Sequence, residues 1–436
     1  MKICVHFALL LFLCAFAPSI HAQVFIAGPM AGHVSRNTAN IWIEAAEDVS
    51  KMQIAYWPAS DSLQRKSFDY YGELSKRFNT AVFTINELNP ATTYYYEITA
   101  SGSAHNGAIR NSFTTQPERE VVDFSFLTGS CAANVLDTSI FTSMANTPAD
   151  FMVWLGDNWY LPNKIPRSEI LWQGAYHVRS MPILQPLFRA MPHYATWDDH
   201  DYGPNDSDKD FPLKEDARRA FIDYWANPSY GQDDRGIYTS FTYGDVKFIM
   251  LDDRWWRSSD KEPAMIDGNK NKSKLMFGKE QMDWLKKELK SSDATFNIIV
   301  SGSQMLNEYT KYDCFYQFPE EYDELMNYIE KKKIEGVIFF TGDRHHSEII
   351  RVNRRRHYPL YDVTVSPFTS NVHKVDKELN NPLRVPGTLV DQKQNYARVS
   401  VSGKAGSRKL RVEYLGLKGE KLAEWQVSEK ELEYLW

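Results

Sequence analysis

Phe151-Met-Val-Trp-Leu-Gly-Asp-Asn-Trp-Tyr160 is the stretch that decides the fold class. Five apolar residues run without interruption, then stop at a glycine followed by a polar and aromatic cluster. Short apolar runs of this composition suit strands that are covered on both faces. The same pattern recurs along the chain. Phe124-Ser-Phe-Leu127 precedes Thr-Gly-Ser-Cys131, Tyr194-Ala-Thr-Trp197 precedes Asp-Asp-His-Asp201, and Phe248-Ile-Met-Leu251 precedes Asp-Asp-Arg254. Ile298-Ile-Val300 leads into Ser-Gly-Ser-Gln304, and Val337-Ile-Phe-Phe340 into Thr-Gly-Asp-Arg-His-His346. Helical spacing lies between some of these runs: Met282, Leu285 and Leu289 share one face, as do Tyr322, Leu325, Met326 and Ile329. Strands alternating with helices imply a layered α/β core. Ligands of open α/β sheets bind beyond the carboxyl ends of the strands, so six polar clusters placed there can converge on one site.

Working outward, residues 23–116 read as all-β. Asn40-Ile-Trp-Ile-Glu44 and Tyr94-Tyr-Tyr-Glu-Ile98 alternate as half-buried strands do. Leu88-Asn-Pro90, followed by Tyr94, resembles the tyrosine corner of immunoglobulin-like and fibronectin type III sandwiches. Gln116-Pro-Glu-Arg-Glu120 reads as a linker. Towards the C-terminus Leu410, Val412 and Tyr414 alternate with Arg411 and Glu413, and Gly419 with the run to Val427 predicts a further hairpin. The first residues read as an export signal, with Lys2 as the positive start, Phe7 to Ala17 as the apolar stretch, and Ile20-His21-Ala22 as the cleavage site before Gln23. That apolar stretch is too short to span a membrane, and no later run is long enough. Leu13 is bulky where lipid attachment at Cys14 would want a small residue.

A chain of 436 residues favours two or three domains, and 43% hydrophobic with 24% charged residues is an ordinary globular balance. The net charge of -6 argues against a general nucleic-acid or anionic-membrane surface, since either needs a basic field. Any anionic ligand must be attracted locally, by metals or a few arginines. Cys4 and Cys14 fall within the export signal, which leaves Cys131 and Cys314. Two readings of that pair are open, a disulfide and a metal thiolate at Cys131, and the polar setting of Cys131 favours the thiolate.

The polar clusters are rich in metal-ligand types. Asp157 follows a strand and a glycine, and Tyr160 three positions on would share its side after one helical turn. Asp198, Asp199 and His200 follow a second strand, Asp343 and His345 a third, and Cys131 a fourth. An Asp after Gly is ordinarily a turn or a helix cap, but capping does not explain this set at four strand ends. The run Ala195-Thr-Trp-Asp-Asp-His-Asp-Tyr-Gly-Pro-Asn-Asp206 crowds carboxylates that repel one another unless cations stand among them.

Gly-Ser-Cys131, Leu-Gly-Asp157-Asn-Trp-Tyr160, Trp-Asp-Asp199-His200-Asp, Leu-Asp252-Asp-Arg254-Trp-Trp-Arg257 and Thr-Gly-Asp343-Arg-His345 together resemble the PhoD-type alkaline phosphatases. Those belong to the calcineurin-like metallophosphatases and are more distantly similar to purple acid phosphatases. The resemblance implies an α+β fold: a fibronectin- or immunoglobulin-like β-sandwich over residues 23–116, then a four-layer αββα metallophosphatase domain over residues 119–436 that includes the C-terminal hairpins. It implies a periplasmic or secreted hydrolase that releases phosphate from small phosphomonoesters. Diesterase or phospholipase D-like activity at the same centre is the alternative, and a non-catalytic surface-binding protein the third reading. No stable nucleic-acid complex, no transmembrane anchor and a monomer are expected.

The resemblance further implies a mixed Fe3+ and Ca2+ centre held by Cys131, Asp157, Tyr160, Asp199, Asp343 and His345, with other divalent cations possible at the second site. The donor types agree independently. Thiolate, phenolate, carboxylate and imidazole suit ferric iron, while Asp157, Asp199 and Asp343 suit a hard cation, with Asp157 bridging. Two such cations would activate a water to attack phosphorus. His200 stands where the family places a catalytic histidine, to protonate the leaving alkoxide or hold phosphate, or else to serve as a structural donor. Arg254 and Arg257 neutralise phosphoryl charge or are merely surface or helix-end charges. Asp198 supports the ligands or binds a further calcium. Asn134 is not expected to reach phosphate, His346 to make only a local hydrogen bond, Cys314 to be a buried thiol, and Trp154, Trp159, Trp197, Trp255 and Trp256 mostly to pack the core. Where family members often carry glutamate and paired asparagines after the histidine, this chain has Asp201-Tyr-Gly-Pro-Asn-Asp206, which leaves substrate choice open.

Overall fold

The structure is a computed structural model that describes residues 23–434 apart from 75, 119, 120, 356, 376 and 377. The expected export signal over residues 1–22 lies outside the described residues. Seven strands form the N-terminal sandwich: β1 (Phe25–Val34), β2 (Ala39–Ala45), β3 (Val49–Pro58), β4 (Lys66–Asp69), β5 (Asn79–Ile85), β6 (Thr93–Gly102) and β7 (Asn106–Thr114). They make two sheets, in the orders β1-β2-β5 and β4-β3-β6-β7. In β6 every second residue, Tyr94, Tyr96, Ile98 and Ala100, is buried, on the two-residue period of a half-covered strand. The Asn89 N–H donates to the Tyr94 hydroxyl at 2.9 Å, closing the corner expected from Leu88-Asn-Pro90. The first residue of the expected linker is pinned, because the buried Gln116 side chain donates to the Val34 carbonyl at 2.8 Å.

The apolar runs become the strands of two six-stranded sheets. The first contains β8 (Phe124–Gly129), β9 (Phe151–Leu155), β10 (His193–Thr196), β19 (Tyr396–Ser402), β20 (Lys409–Leu415) and β21 (Lys421–Ser428) in the order β10-β9-β8-β19-β20-β21. The second contains β11 (Thr239–Tyr243), β12 (Val246–Met250), β15 (Phe296–Ser301), β16 (Val337–Thr341), β17 (Glu348–Val352) and β18 (Leu360–Thr364) in the order β11-β12-β15-β16-β18-β17. A small hairpin, β13 (Met265–Ile266) and β14 (Asn269–Lys270), lies between them in sequence. β8, β9 and β10 are parallel, as are β12, β15, β16 and β18.

Alternation along β9 explains the layering. Phe151, Val153 and Leu155 belong to the apolar cluster of the two sheets. Met152 and Trp154 face a second cluster with α1 (Ile140–Asn146), α2 (Glu169–Arg179), α3 (Gln185–Ala190) and α5 (Lys214–Tyr224). Between the sheets, Phe126 stacks on Phe151 at 5.4 Å between ring centres and meets Phe248 edge-on at 5.2 Å. Burying each such ring stabilises by about 1.5–3 kcal/mol. α6 (Gly278–Lys290) and α7 (Pro319–Lys332) bury Met282, Leu285, Leu289, Leu325 and Ile329, the faces their spacing predicts. The result is helix, sheet, sheet, helix. The sandwich docks through residues of β1 and β2 outside its own core: Ala27, Met30 and Trp42 join the cluster of Trp154 and Trp225, and the Trp42 indole donates to the Asp223 carbonyl at 2.8 Å.

Register then aligns the strand ends. Leu155 pairs with Thr196, Met250 with Val300, and Ser301 with Thr341. The polar clusters that follow are therefore level with one another along one edge. No helix among the described residues is long and apolar enough to cross a membrane.

Candidate metal centre

Four of the expected ligands sit on backbone that side chains rarely adopt. Cys131, Asp157, Asp343 and His345 have φ of 66, 53, 64 and 56 degrees. Non-glycine residues there cost on the order of 1–3 kcal/mol each and cluster where a site demands the geometry. The tight approach begins at Gly156, φ 88 degrees, where a Cβ would lie 2.7 Å from Asp198 Cβ. The expected helical turn from Asp157 to Tyr160 does not form; these residues are a loop. The Asn158 N–H donates to Asp201 Oδ1 (2.8 Å) and its side chain to the Thr196 carbonyl (2.9 Å), pulling the chain away from helical geometry. Tyr160 still reaches its partner, donating to Asp157 Oδ2 at 2.9 Å.

The next loop opens α4 (Asp199–Tyr202), a single turn capped by Asp198 and Asp201. It points the His200 N–H at Asp157 Oδ1 (3.3 Å) and stacks the His200 ring on Tyr160, 4.0 Å between centres. From the other sheet comes His345, its Nε2 3.3 Å from the Tyr160 hydroxyl and 3.3 Å from Ser370 Oγ. The Cys131 sulfur lies 3.5 Å from Asp157 Oδ2 and accepts from Ser366 Oγ at 3.2 Å. Cys131 and Cys314 are both free and buried, so the disulfide reading is set aside. Ligand atoms of Cys131, Asp157 and His345 lie within 4.8 Å of one another, as do those of Asp157, Asp199 and His200, and Asp157 is common to both sets. Asp199, His200, Asp343 and His345 line one cavity of about 680 Å3, with Asp313 and His373 beside them.

The electrostatics of this arrangement favour cations. Burial, with the charges of Asp199, Asp201 and Asp343, pushes the Asp157 carboxyl well above the usual range. Asp343 is pushed up to about 7 by burial and then by Asp313. Burial and the Asp157 and Asp343 charges raise the Cys131 thiol, and burial and Asp157 raise the Tyr160 phenol. His345 is pushed down to about 3, by burial and then by His373, which leaves a neutral ring with a lone pair to offer. A buried thiol, phenol, imidazole and carboxyls crowded together in this way fit a bound cation pair, which would favour the ionised forms.

A sequence profile described as PhoD-like phosphatase matches residues 126–414. The chain belongs to the PhoD-like phosphatase family. A second profile, a domain of unknown function designated DUF7800, matches residues 22–117. Alkaline phosphatase D of Bacillus subtilis (strain 168) is 24% identical over 389 residues, covering 76% of this chain and 66% of that protein. The chain thus spans just under two thirds of that relative. Among solved structures, one described as the structure of PhoD matches with a TM-score of 0.79 at 18% identity, over 96% of this chain and 93% of the other. A purple acid phosphatase from yellow lupin (Lupinus luteus) seeds matches with a TM-score of 0.62 at 12% identity, over 92% of this chain and 74% of the other. Both are likenesses of fold.

The remaining residues singled out in this PhoD-like chain fall in distinct places. Arg254 and Arg257 are wholly buried, behind the cavity wall. Arg254 Nε donates to Asp198 Oδ1 (2.6 Å) and its Nη2 to Asp313 Oδ2 (2.7 Å); Arg257 pairs with Asp260 (2.8 Å) and Asp313 (3.1 Å). Asp198 Oδ1 also accepts the Asp199 N–H at 2.9 Å. His346 lies near its own turn, Nδ1 2.9 Å from the Arg344 carbonyl, with Glu348 3.4 Å away. The Asn134 N–H donates to Thr369 Oγ1 at 3.0 Å. Trp154, Trp159, Trp197 and Trp255 are core, and Trp256 packs against it.

Several residues at the site escaped the sequence reading, among them Ser366, Ser370, Asp313, His373 and Tyr312. Ser366 and Ser370 follow β18 in Val-Ser-Pro-Phe-Thr-Ser370, the same apolar-run-then-polar signal that marked the other loops. Asp313 and His373 lie in long connections with no such signal.

Proposed function

We propose that this chain is a metal-dependent phosphate-ester hydrolase of alkaline phosphatase D type, releasing phosphate from phosphomonoesters. The observation that carries the reading is the convergence of Cys131, Asp157, Tyr160 and His345 with Asp199, His200 and Asp343 at one end of two parallel strand sets, on an open cavity. In this proposal Cys131, Tyr160 and His345 would hold Fe3+ and the oxygen-rich set of Asp157, Asp199 and Asp343 would hold Ca2+ or another divalent cation, Asp157 being common to both clusters. The bound cations supply activation of the attacking water and neutralisation of phosphoryl charge. His200, held flat against Tyr160, donates a proton to the leaving alkoxide. Burial lowers its pKa against the raising effect of the Asp199 charge, so a proton on the imidazolium is the more readily given to the leaving group. Arg254 acts indirectly, holding Asp198 and through it the backbone of Asp199. The same proposal places the enzyme outside the cytoplasm, on the charge and apolar pattern of residues 1–22.

The test joins metal analysis, a visible spectrum and turnover. Iron with a phenolate-to-iron absorption band is expected, the band vanishing in Tyr160→Phe while bound iron remains measurable. Hydrolysis of p-nitrophenyl phosphate should exceed that of its bis-ester. A colourless, iron-free, active protein would refute the ferric assignment, and a dominant bis-ester rate would make the chain a diesterase.

A further inference from the structure

The cavity that His200 lines also carries an aromatic side chain that the proposed chemistry does not use. Tyr312 lines the cavity and is 58% exposed, whereas such rings are ordinarily half or more covered. It is nonetheless held in place. The Arg344 guanidinium lies over one face of its ring at 4.6 Å, and Arg344 in turn donates to Glu378 at 2.7 Å. The Tyr312 N–H donates to Thr310 Oγ1 (3.1 Å), and its carbonyl accepts from Gln317 Nε2 (2.6 Å). Arg344 stands between Asp343 and His345, so the ring is braced by the turn that carries two proposed metal ligands. Tyr309 is similarly exposed but does not border the cavity.

The geometry points to Tyr312 as a specificity-determining residue that stacks a planar, uncharged aromatic group in the alcohol part of the ester. A cation lies over the ring, which borders the cavity and remains 58% exposed, an arrangement that favours offset stacking of a second π-system on the uncovered area. The acidic side chains beside the ring do not set the choice, because Asp313, next in sequence, is paired with the Arg254 and Arg257 guanidiniums (2.7 and 3.1 Å). The substrate class is therefore an aryl or nucleoside monophosphate in preference to small polyol phosphates.

This inference rests on the phosphatase reading for its substrates, and the experiment separates the two. Hydrolysis of naphthyl, phenyl and glycerol phosphates is compared in the metal-loaded wild type, Tyr312→Ala and Tyr312→Phe. Naphthyl and phenyl leaving groups have similar acidity, so their difference reports contact area. Tyr312→Ala should lose roughly ten-fold in kcat/KM for naphthyl phosphate, through KM, with glycerol phosphate changed by less than about two-fold and Tyr312→Phe restoring the aryl preference. Equal effects on all three esters, or none, overturn the assignment. Binding of naphthylphosphonate against methylphosphonate, neither of which turns over, gives a second readout. Should the wild type hydrolyse none of the esters, the phosphatase reading falls. The phosphonate pair still decides Tyr312: a naphthyl advantage lost in Tyr312→Ala supports the platform, and equal binding sinks it.

Discussion

Arg254→Met isolates what a guanidinium behind the metal loops does. Asp198 and Arg254 are each about 1% exposed, and Arg254 also pairs with Asp313 at 2.7 Å. Methionine fills much of the same volume and removes the charge, leaving Asp198 as a buried carboxylate whose strongest countercharge is gone. Removing one partner of a buried pair costs about 3–5 kcal/mol, because the other charge is stranded. Asp313 keeps Arg257 at 3.1 Å, so the loss should sit near 4 kcal/mol. At roughly 2 °C per kcal/mol for a domain of this size, the melting temperature falls by about 8 °C. Calorimetry of the metal-loaded protein measures it. The double variant Arg254→Met with Asp198→Asn should recover more than half of the loss, since the amide carries no charge and can still accept from the Asp199 N–H. A single variant that melts within about 2 °C of wild type, or a double variant that recovers nothing, refutes the reasoning. Unchanged melting with a raised KM would instead put the guanidinium on the substrate phosphate.

A second test uses pH at Glu348. Burial opposes its ionisation, but the hydrogen bond and charge of His346 and the Arg384 guanidinium at 2.6 Å outweigh burial, bringing the carboxyl from 4.5 down to about 2. A depressed carboxyl stabilises above its unfolded pKa and loses that stability as pH falls. The contribution, on the order of 3 kcal/mol, is therefore complete above about pH 5 and fades towards pH 2. Glu348→Gln should melt well below wild type at pH 7, the gap narrowing as pH drops below 4.5; a gap independent of pH would show that the charge is not responsible. At Gly156, Ala must adopt φ 88 degrees with its Cβ 2.7 Å from Asp198 Cβ, so Gly156→Ala should cost metal stoichiometry by elemental analysis before it unfolds the protein. Full metal content in that variant would show that the loop tolerates the displacement.

Much of the architecture was legible because the relevant forces are local. Phe151-Met-Val-Trp-Leu155 suits a strand covered on both faces, and Met282, Leu285 and Leu289 a helix stripe, and each formed as such. The ligand candidates were legible for the same reason. Cys131, Asp157 and Asp343 stand two residues past a strand end and Asp199 three, with Tyr160 and His345 further along the same loops, and parallel register brings such positions level. Ser366 and Ser370 carried that signal as well. The reading failed where a local rule was stretched. Spacing of three suggested a helical turn from Asp157 to Tyr160, but hydrogen bonds from Asn158 to Asp201 and Thr196, residues about forty positions away, override it.

What the sequence determined by itself was the succession of strands and helices and the stock of donors at their ends, since period and composition set both. Only the tertiary structure decided which way the charged and aromatic side chains of the loops face. Arg254 and Arg257 look like phosphate ligands beside their motif, yet they turn inward to Asp198 and Asp313. Tyr312 and His373 carry no motif, yet they border the cavity. A loop side chain takes its direction from partners that arrive from distant parts of the chain, and the balance between burying a charge and pairing it is struck only once those partners are in place.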